Sequence, residues 1–237
     1  MTTDLSAWLT REEALLGAPA VKRLKSARVA VFGLGGVGSY AAEALARAGI
    51  GALVLCDGDT VDVTNLNRQL CATVSSLGKP KAEVVAARVA DINPACDVTA
   101  AVTFYSATAG QGLVDGCDFV VDAIDDVKAK VALALECQEK NIPLISAMGC
   151  GNKLNPMGFV VDDLANTSVC PLCRVMRREL KAVGITHLPV VYSKESPHRT
   201  PAENGERVPP ASISFVPGAA GLLLAAHVVA ELTKEAT

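Results

Sequence analysis

The sequence predicts an α/β fold: a mainly parallel sheet with helices on both faces. Three observations predict it. Short apolar runs alternate with Ala-rich helical stretches between residues 28 and 147, the rhythm of strand–helix–strand units. A glycine-rich turn follows the first of these runs directly. Half of the 237 residues are apolar and only 4% aromatic, so the core rests on Val-rich strands against Ala-rich helices.

Each element has its own signal. Residues 12–26 read as an amphipathic helix broken at Gly17 to Pro19. Arg28–Phe32 is a buried strand ending in glycines. Residues 40–48 are an Ala-rich helix closed by Gly49, and Ala52–Cys56 a second strand ending at Asp57. Residues 79–91 form a helix that Asn93-Pro94 stops. Strands are expected at 98–104, 119–123 and 143–147, with a helix over Val127–Glu139. After residue 150 the texture changes. Residues 168–183 form a helix with a partly basic surface, and 193–211, with four prolines, a long mobile loop. A strand at 212–216 and a closing helix at 219–233 complete the chain. The expected organisation is one domain over 1–237, with a nucleotide-binding core at about 10–150 and a smaller extension at about 151–237 that returns to the sheet.

Net charge is −3, which excludes a strongly basic nucleic-acid module. The charge is uneven: residues 165–210 carry net +3 and residues 1–164 net −5, so a polyanion is better received by the former. An ordinary mixed-charge surface gives the same arithmetic. No basic segment followed by an apolar run marks a leader at Met1 to Leu9, and the cysteines lie mostly in apolar runs, so the expected location is cytoplasmic. The apolar stretch 213–232 has the length of a membrane span. Pro217, Gly218, Gly221 and His227 interrupt it, and it reads as a buried helix with no stable membrane insertion.

Gly33-Leu34-Gly35-Gly36-Val37-Gly38 is a G-x-G-x-x-G turn between a strand and a helix, the Rossmann-like context that receives a nucleotide. Its glycines admit a phosphate close to the backbone, and the helix amino end favours the negative charge. Asp57 ends the second strand, where a carboxylate binds ribose hydroxyls. Up to this point a nicotinamide or flavin enzyme explains the pattern. The next segment, Asp57-Gly58-Asp59-Thr60-Val61-Asp62-Val63-Thr64-Asn65-Leu66-Asn67-Arg68-Gln69, does not suit that reading. Arg68 can fork onto phosphate oxygens and Asn65 can hold one. Lys81, in Gly78-Lys79-Pro80-Lys81, adds a second cation at a helix start. A carboxylate in Asp122-Ala123-Ile124-Asp125-Asp126, at a strand end beside phosphates, suits Mg²⁺. Singly, Lys81 is also a solvated helix-end charge, and Asp122 or Asp126 a helix cap. Together the set describes ATP better than NAD.

These motifs closely resemble the ubiquitin-activating-enzyme-like superfamily, which includes the adenylyltransferases of thiamine and molybdopterin biosynthesis. The resemblance covers about residues 10–150. It implies that Asp57 is the ribose ligand, with Asp59 and Gly33, Gly35, Gly36 and Gly38 also at the nucleotide. It implies that Asn65, Arg68 and Lys81 contact the triphosphate and that Asp125 holds Mg²⁺. Arg11, in Arg11-Glu12-Glu13-Ala14-Leu15-Leu16-Gly17, resembles an arginine that reaches into the partner subunit's ATP site, which implies a homodimer. A second arginine often found three residues before it is Trp8 here.

The second half resembles the tRNA threonylcarbamoyladenosine dehydratase branch. The echoes are Asp122-Ala123-Ile124-Asp125, residues 149–156, Pro171-Leu172 with Arg174, Arg177 and Arg178, residues 191–195 and residues 212–217. The implied reaction is ATP-dependent activation of the carboxylate of threonylcarbamoyladenosine in tRNA, through an acyl-adenylate, then ring closure by the neighbouring carbamoyl group. That closure is intramolecular and needs no protein nucleophile. Arg11, Arg68, Lys81 and Asp125 are the expected catalytic set, stabilising charge on the transferring and leaving groups. Arg174, Arg177, Arg178 and Lys181 would meet tRNA phosphates.

Three alternatives stay open. Adenylation of a ubiquitin-like sulfur carrier is the first, with a cysteine-desulfurase or sulfur-relay partner acting through Cys150, Cys170 or Cys173 as a variant of it. Such enzymes usually bear two Cys-x-x-Cys pairs for zinc; only Cys170-Pro171-Leu172-Cys173 is present, so no zinc is expected. A nicotinamide oxidoreductase and a non-catalytic nucleotide-binding partner are the others.

Overall fold

The computed structural model describes residues 7–198 and 210–234. One seven-stranded sheet runs in the order β3-β2-β1-β4-β5-β7-β6. Its strands are β1 (Arg28–Phe32), β2 (Ala52–Cys56), β3 (Asp97–Ala101), β4 (Phe119–Asp122), β5 (Leu144–Ala147), β6 (Phe159–Asp163) and β7 (Pro189–Ser193). All neighbours are parallel except β6, which pairs antiparallel with β7 at the edge.

The helices are α1 (Thr10–Leu16), α2 (Ala18–Ser26), α3 (Gly38–Arg47), α4 (Lys81–Ile92), α5 (Val127–Glu139), α6 (Pro171–Ala182) and α7 (Phe215–Thr233). Alternate strand residues face opposite layers. Val29 and Val31 join Leu45, Val85, Val89, Leu224 and Val228 on one side, while Ala30 and Phe32 join Leu133, Met176 and Leu180 on the other. Strands covered on both faces must be apolar throughout, which is why each reads as an unbroken run. Each such fully buried Leu contributes about 1.5–3 kcal/mol, and truncating Leu45 to Ala would cost about 2–5 kcal/mol.

Successive strands build outward from β1 to β3, and the chain then crosses to β4 on β1's other side. The crevice between the carboxyl ends of β1 and β4 is therefore a topological switch point, where open α/β sheets receive ligands. The helix expected at 12–26 is broken where foreseen: Gly17 adopts φ +83° between α1 and α2.

The expected strand at 212–216 is not formed. Residues 212–214 are irregular, and Phe215 and Val216 begin α7. Pro217 falls in the first turn of that helix, where its missing N–H costs nothing. Gly221 lets α7 lie against α3: a Cβ there would sit 2.3 Å from the Val37 carbonyl oxygen. α7 is apolar and long enough to cross a bilayer, and it buries Val216, Ala220, Leu224 and Val228. The strand expected at 98–104 ends at Ala101. Of the loop expected at 193–211, Ser193 closes β7 and residues 199–209 lie outside the described residues. The extension does return to the sheet, through β6 and β7.

Candidate active site

The glycine turn is shaped by two contacts that forbid side chains. Gly33 has φ +82°, and a Cβ there would lie 2.6 Å from the Ala123 carbonyl oxygen. A Cβ on Gly38 would lie 1.7 Å from the Gly33 carbonyl oxygen. Gly35 and Gly36 face the segment beyond Asp57 at ordinary contact distance: Gln69 Nε2 lies 3.7 Å from the place of a Gly35 Cβ and Arg68 Cγ 3.6 Å from that of Gly36, where Pro217 of α7 is the closer neighbour at 3.2 Å. Ser39 fastens the two: its hydroxyl donates to the Gly35 carbonyl at 2.6 Å and accepts from Leu70 N at 3.2 Å.

Asp57 joins this turn to the next segment. One carboxylate oxygen accepts from Leu34 N at 2.6 Å and the other from Asp59 N at 2.8 Å. Asp59 and Val61 then pair with residues 78–81: Val61 N donates to Lys79 O, Gly78 N to Val61 O and Lys81 N to Asp59 O, each at 2.9 Å. That short ladder carries Lys81 to the site, where its Nζ lies 2.9 Å from Asp59 Oδ2. Lys81 is buried, and a buried ammonium requires such a partner.

Asn65 is buried in a capping box: its Oδ1 accepts from Asp62 N at 3.1 Å while Asp62 accepts from Thr64 N. The Thr64 hydroxyl and main chain hold the Asp62 carboxyl below the usual range. Arg68 Nη1 donates to Thr64 O at 2.8 Å and to Asn67 Oδ1 at 3.0 Å, which fixes the guanidinium while its Cγ packs near Gly36.

The three aspartates after β4 have different tasks. Asp122 is buried with Lys130, whose Nζ donates to Asp122 Oδ2 at 2.9 Å, Ser146 Oγ at 3.0 Å and Ala147 O at 2.8 Å. Asp126 caps α5 by accepting from Ala129 N. Asp125 is exposed, and its carboxylate has no hydrogen-bond partner among the described residues. Mg²⁺ takes one or two protein carboxylates plus phosphates and waters, which this single open carboxylate fits.

Gly33, Gly35, Gly36, Gly38, Asp57, Asp59, Asn65, Arg68 and Lys81 thus converge, with Asp125 three residues past the end of the adjoining strand. Arg11 is not among them; it stands exposed on α1, which buries no residue. Arg174, Arg178 and Lys181 are exposed on one face of α6. Arg177 does not belong with them. Its guanidinium turns Nη1 inward to the carbonyls of Leu164 and Thr167, so it fastens a loop, unlike its outward-facing neighbours.

Two residues escaped the sequence reading. Phe104 is 65% exposed, and its ring lies on Gly58, where a Cβ would come within 2.6 Å of it. An exposed aromatic in a chain with five Phe was the available signal. Lys130 lies between Ala129 and Val131 in the apolar middle of a helix, and that was its signal.

The model of the ThiF family matches residues 9–237. The chain belongs to the ThiF family. Among relatives, the Bacillus subtilis tRNA threonylcarbamoyladenosine dehydratase is 43% identical over 95% of this chain and 94% of its own length. The Escherichia coli tRNA N6-threonylcarbamoyladenosine dehydratase, solved in complex with AMP, superposes with a TM-score of 0.87 at 36% identity, covering 98% of this chain and 97% of that one. Its complex with ATP gives a TM-score of 0.86 at 35% identity. A ThiF-family adenylyltransferase, the Salmonella typhimurium molybdopterin-synthase enzyme, is 41% identical over only 52% of this chain.

Proposed function

We propose that this chain is an ATP-dependent tRNA threonylcarbamoyladenosine dehydratase. The observation that carries the reading is the extent of the match. The Bacillus subtilis dehydratase aligns over 95% of this chain and the Escherichia coli dehydratase structure over 98%, extension included, whereas the adenylyltransferase match spans about half the chain. Capture of ATP and AMP by the Escherichia coli enzyme supports adenylyl transfer. The substrate carboxylate attacks the α-phosphorus and pyrophosphate leaves. The neighbouring carbamoyl group then attacks the activated carbonyl carbon, the ring closes and AMP departs, so one water is lost overall.

In this reading Asp57 receives the ribose and the glycine turn the phosphates. Arg68 and Lys81 hold the triphosphate oxygens as charge builds on the leaving pyrophosphate. Asp125 would hold Mg²⁺, which supplies further neutralisation of that charge. Phe104 gives the purine a flat apolar surface beside Asp57. Arg174, Arg178 and Lys181 offer a basic row to the tRNA backbone.

A homodimer belongs to the same proposal, with Arg11 acting in the partner's site. Leu15 on α1 and Phe215 and Leu222 on α7 are exposed apolar side chains available to a second copy.

The test is nucleoside mass spectrometry of tRNA bearing threonylcarbamoyladenosine after incubation with protein, ATP and Mg²⁺. Loss of one water, abolished in Arg68→Ala, is expected. Pyrophosphate exchange that appears only with a Gly-Gly-terminated carrier protein would replace this reading with carrier adenylation. Mixing inactive Arg11→Ala and Arg68→Ala proteins should restore activity if the arginine acts across subunits.

A further inference from the structure

Of the eight cysteines, Cys56, Cys71, Cys117 and Cys137 pack as core hydrophobes, and burial drives Cys56 and Cys137 up to about 12. Cys170 differs. It is the N-cap of α6, a twelve-residue helix, with Cys173 in the first turn. Gly149 comes from a separate segment, the one leaving β5, and a Cβ there would lie 3.8 Å from Cys170 Sγ. The two sulfurs thus share one helix start, beside the chain that leaves the sheet. The Cys173 bond first, and the main-chain bonds with it, bring the Cys170 thiol down to about 5 against the effect of burial. Cys173, as the donor, is pushed up. Nothing in the ATP reaction uses either sulfur.

We propose that Cys170 and Cys173 are a reversible dithiol–disulfide pair, oxidised by a hydroperoxide and reduced by a dithiol. Side chains three apart at a helix start have Cβ atoms about 5–6 Å apart, so a small shift brings them to bonding distance. Both sulfurs are nearly covered, which selects an oxidant the size of hydrogen peroxide, and Cys170, the N-cap of the helix with the lowered thiol, is the attacking sulfur. The Cys170 thiolate attacks one peroxide oxygen; the O–O bond breaks, and hydroxide leaves and takes up a proton. The resulting sulfenic acid is attacked by Cys173, which gives up its thiol proton. The S–O bond breaks, the S–S bond forms and water leaves. Two electrons pass from two thiols to one peroxide. Reduction runs by dithiol exchange through a mixed disulfide.

The experiment treats the fully reduced native protein with hydrogen peroxide, blocks residual thiols in denaturant with N-ethylmaleimide, and maps peptides by mass. The expected product has lost two hydrogens, links Cys170 to Cys173 and returns to the dithiol with dithiothreitol. It should form at least about tenfold faster than oxidation at Cys56 or Cys71, because the thiolate is the reacting form. Cys173→Ser should stop at a Cys170 sulfenic acid that dimedone captures, and Cys150→Ser should leave the disulfide unchanged. A disulfide between Cys150 and Cys170, or oxidation of the pair no faster than of the core thiols, overturns the proposal. None of these readouts depends on ATP or tRNA, so they stand apart from the dehydratase assignment.

Discussion

The Lys81 ammonium lies 2.9 Å from the Asp59 carboxylate, across 22 residues of chain. The 59–61 and 78–81 ladder makes the meeting, and Asp59 is half exposed while Lys81 is covered. Asp59 therefore both aims the cation and partners a covered charge. Asp59→Asn is expected to lower kcat/KM for ATP by about 10–100-fold and to lower the thermal midpoint as well, because it leaves the ammonium unpaired; Lys81→Met, which leaves only the half-exposed carboxylate, should lower kcat/KM by more with a smaller loss of stability. A parent-like kcat/KM in Asp59→Asn would remove Asp59 from the site.

Arg68 is held through Nη1 by Thr64 O and Asn67 Oδ1. Its remaining Nε–Nη2 edge suits two phosphate oxygens at once. Arg68→Ala should cost about 10²–10³-fold in single-turnover dehydration. Arg68→Lys should recover little, because an ammonium lacks the planar fork. Full recovery by lysine would show that charge alone suffices.

What the sequence revealed about this site follows from how local each cause is. Gly33 and Gly38 are dictated by contacts within one turn and its neighbouring strand, so their spacing is a readable motif. Arg28–Phe32 and Ala52–Cys56 are covered on both faces and read as unbroken apolar runs. Residues 212–216 failed because an apolar pentad serves strand and helix alike, and the deciding contacts, Gly218 on Tyr40 and Gly221 on Val37, lie on α3. Arg177 was misread for a similar reason. Its carbonyl partners Leu164 and Thr167 come from another turn, and nothing in a basic cluster says which member turns inward. β6 lies at the sheet edge with partly exposed positions, and its pattern is correspondingly weak.

Phe104 tests the purine contact. Base stacking on an aromatic contributes about 1–3 kcal/mol, so Phe104→Ala should raise KM for ATP by about 5–150-fold while kcat holds. Phe104→Trp should restore it. Inorganic triphosphate, which has no base, should inhibit parent and variant equally. A shift in its inhibition constant would mean that the substitution has disturbed the phosphate site instead.

Glu136 gives the fold an acid limit. Burial alone would raise its carboxyl, but bonds from Lys140, Tyr105 and Gly112 prevail and hold it below the usual carboxylate value. A depressed folded value means stability that is complete above the unfolded value of about 4.3 and is lost as pH falls through the lower folded one. Urea midpoints should fall across that window, and Glu136→Gln should flatten the fall while lowering the midpoint at neutral pH. An unchanged pH slope in the variant would assign the acid limit to other carboxylates.

Lys130 sets the stability of the catalytic edge. Its three N–H donors are all used, by Asp122 at the end of β4 and by Ser146 and Ala147 at the end of β5. Asp122 is equally satisfied, since it also accepts from Ser146 Oγ at 2.5 Å and Ile124 N at 3.0 Å. Removing one member of a buried pair leaves the other charge unpaired, at a cost of about 3–5 kcal/mol. Lys130→Met should therefore lower the urea midpoint steeply. Asp122→Asn in the Lys130→Met background should recover part of the loss, because the orphaned carboxylate is then gone. Since Asp125 hangs three residues beyond Asp122, surviving Lys130→Met protein should also lose kcat more than ATP affinity. If the double variant is as unstable as the sum of the single ones, the two charges act independently and the clamp between β4 and β5 is not what holds Asp125 in place.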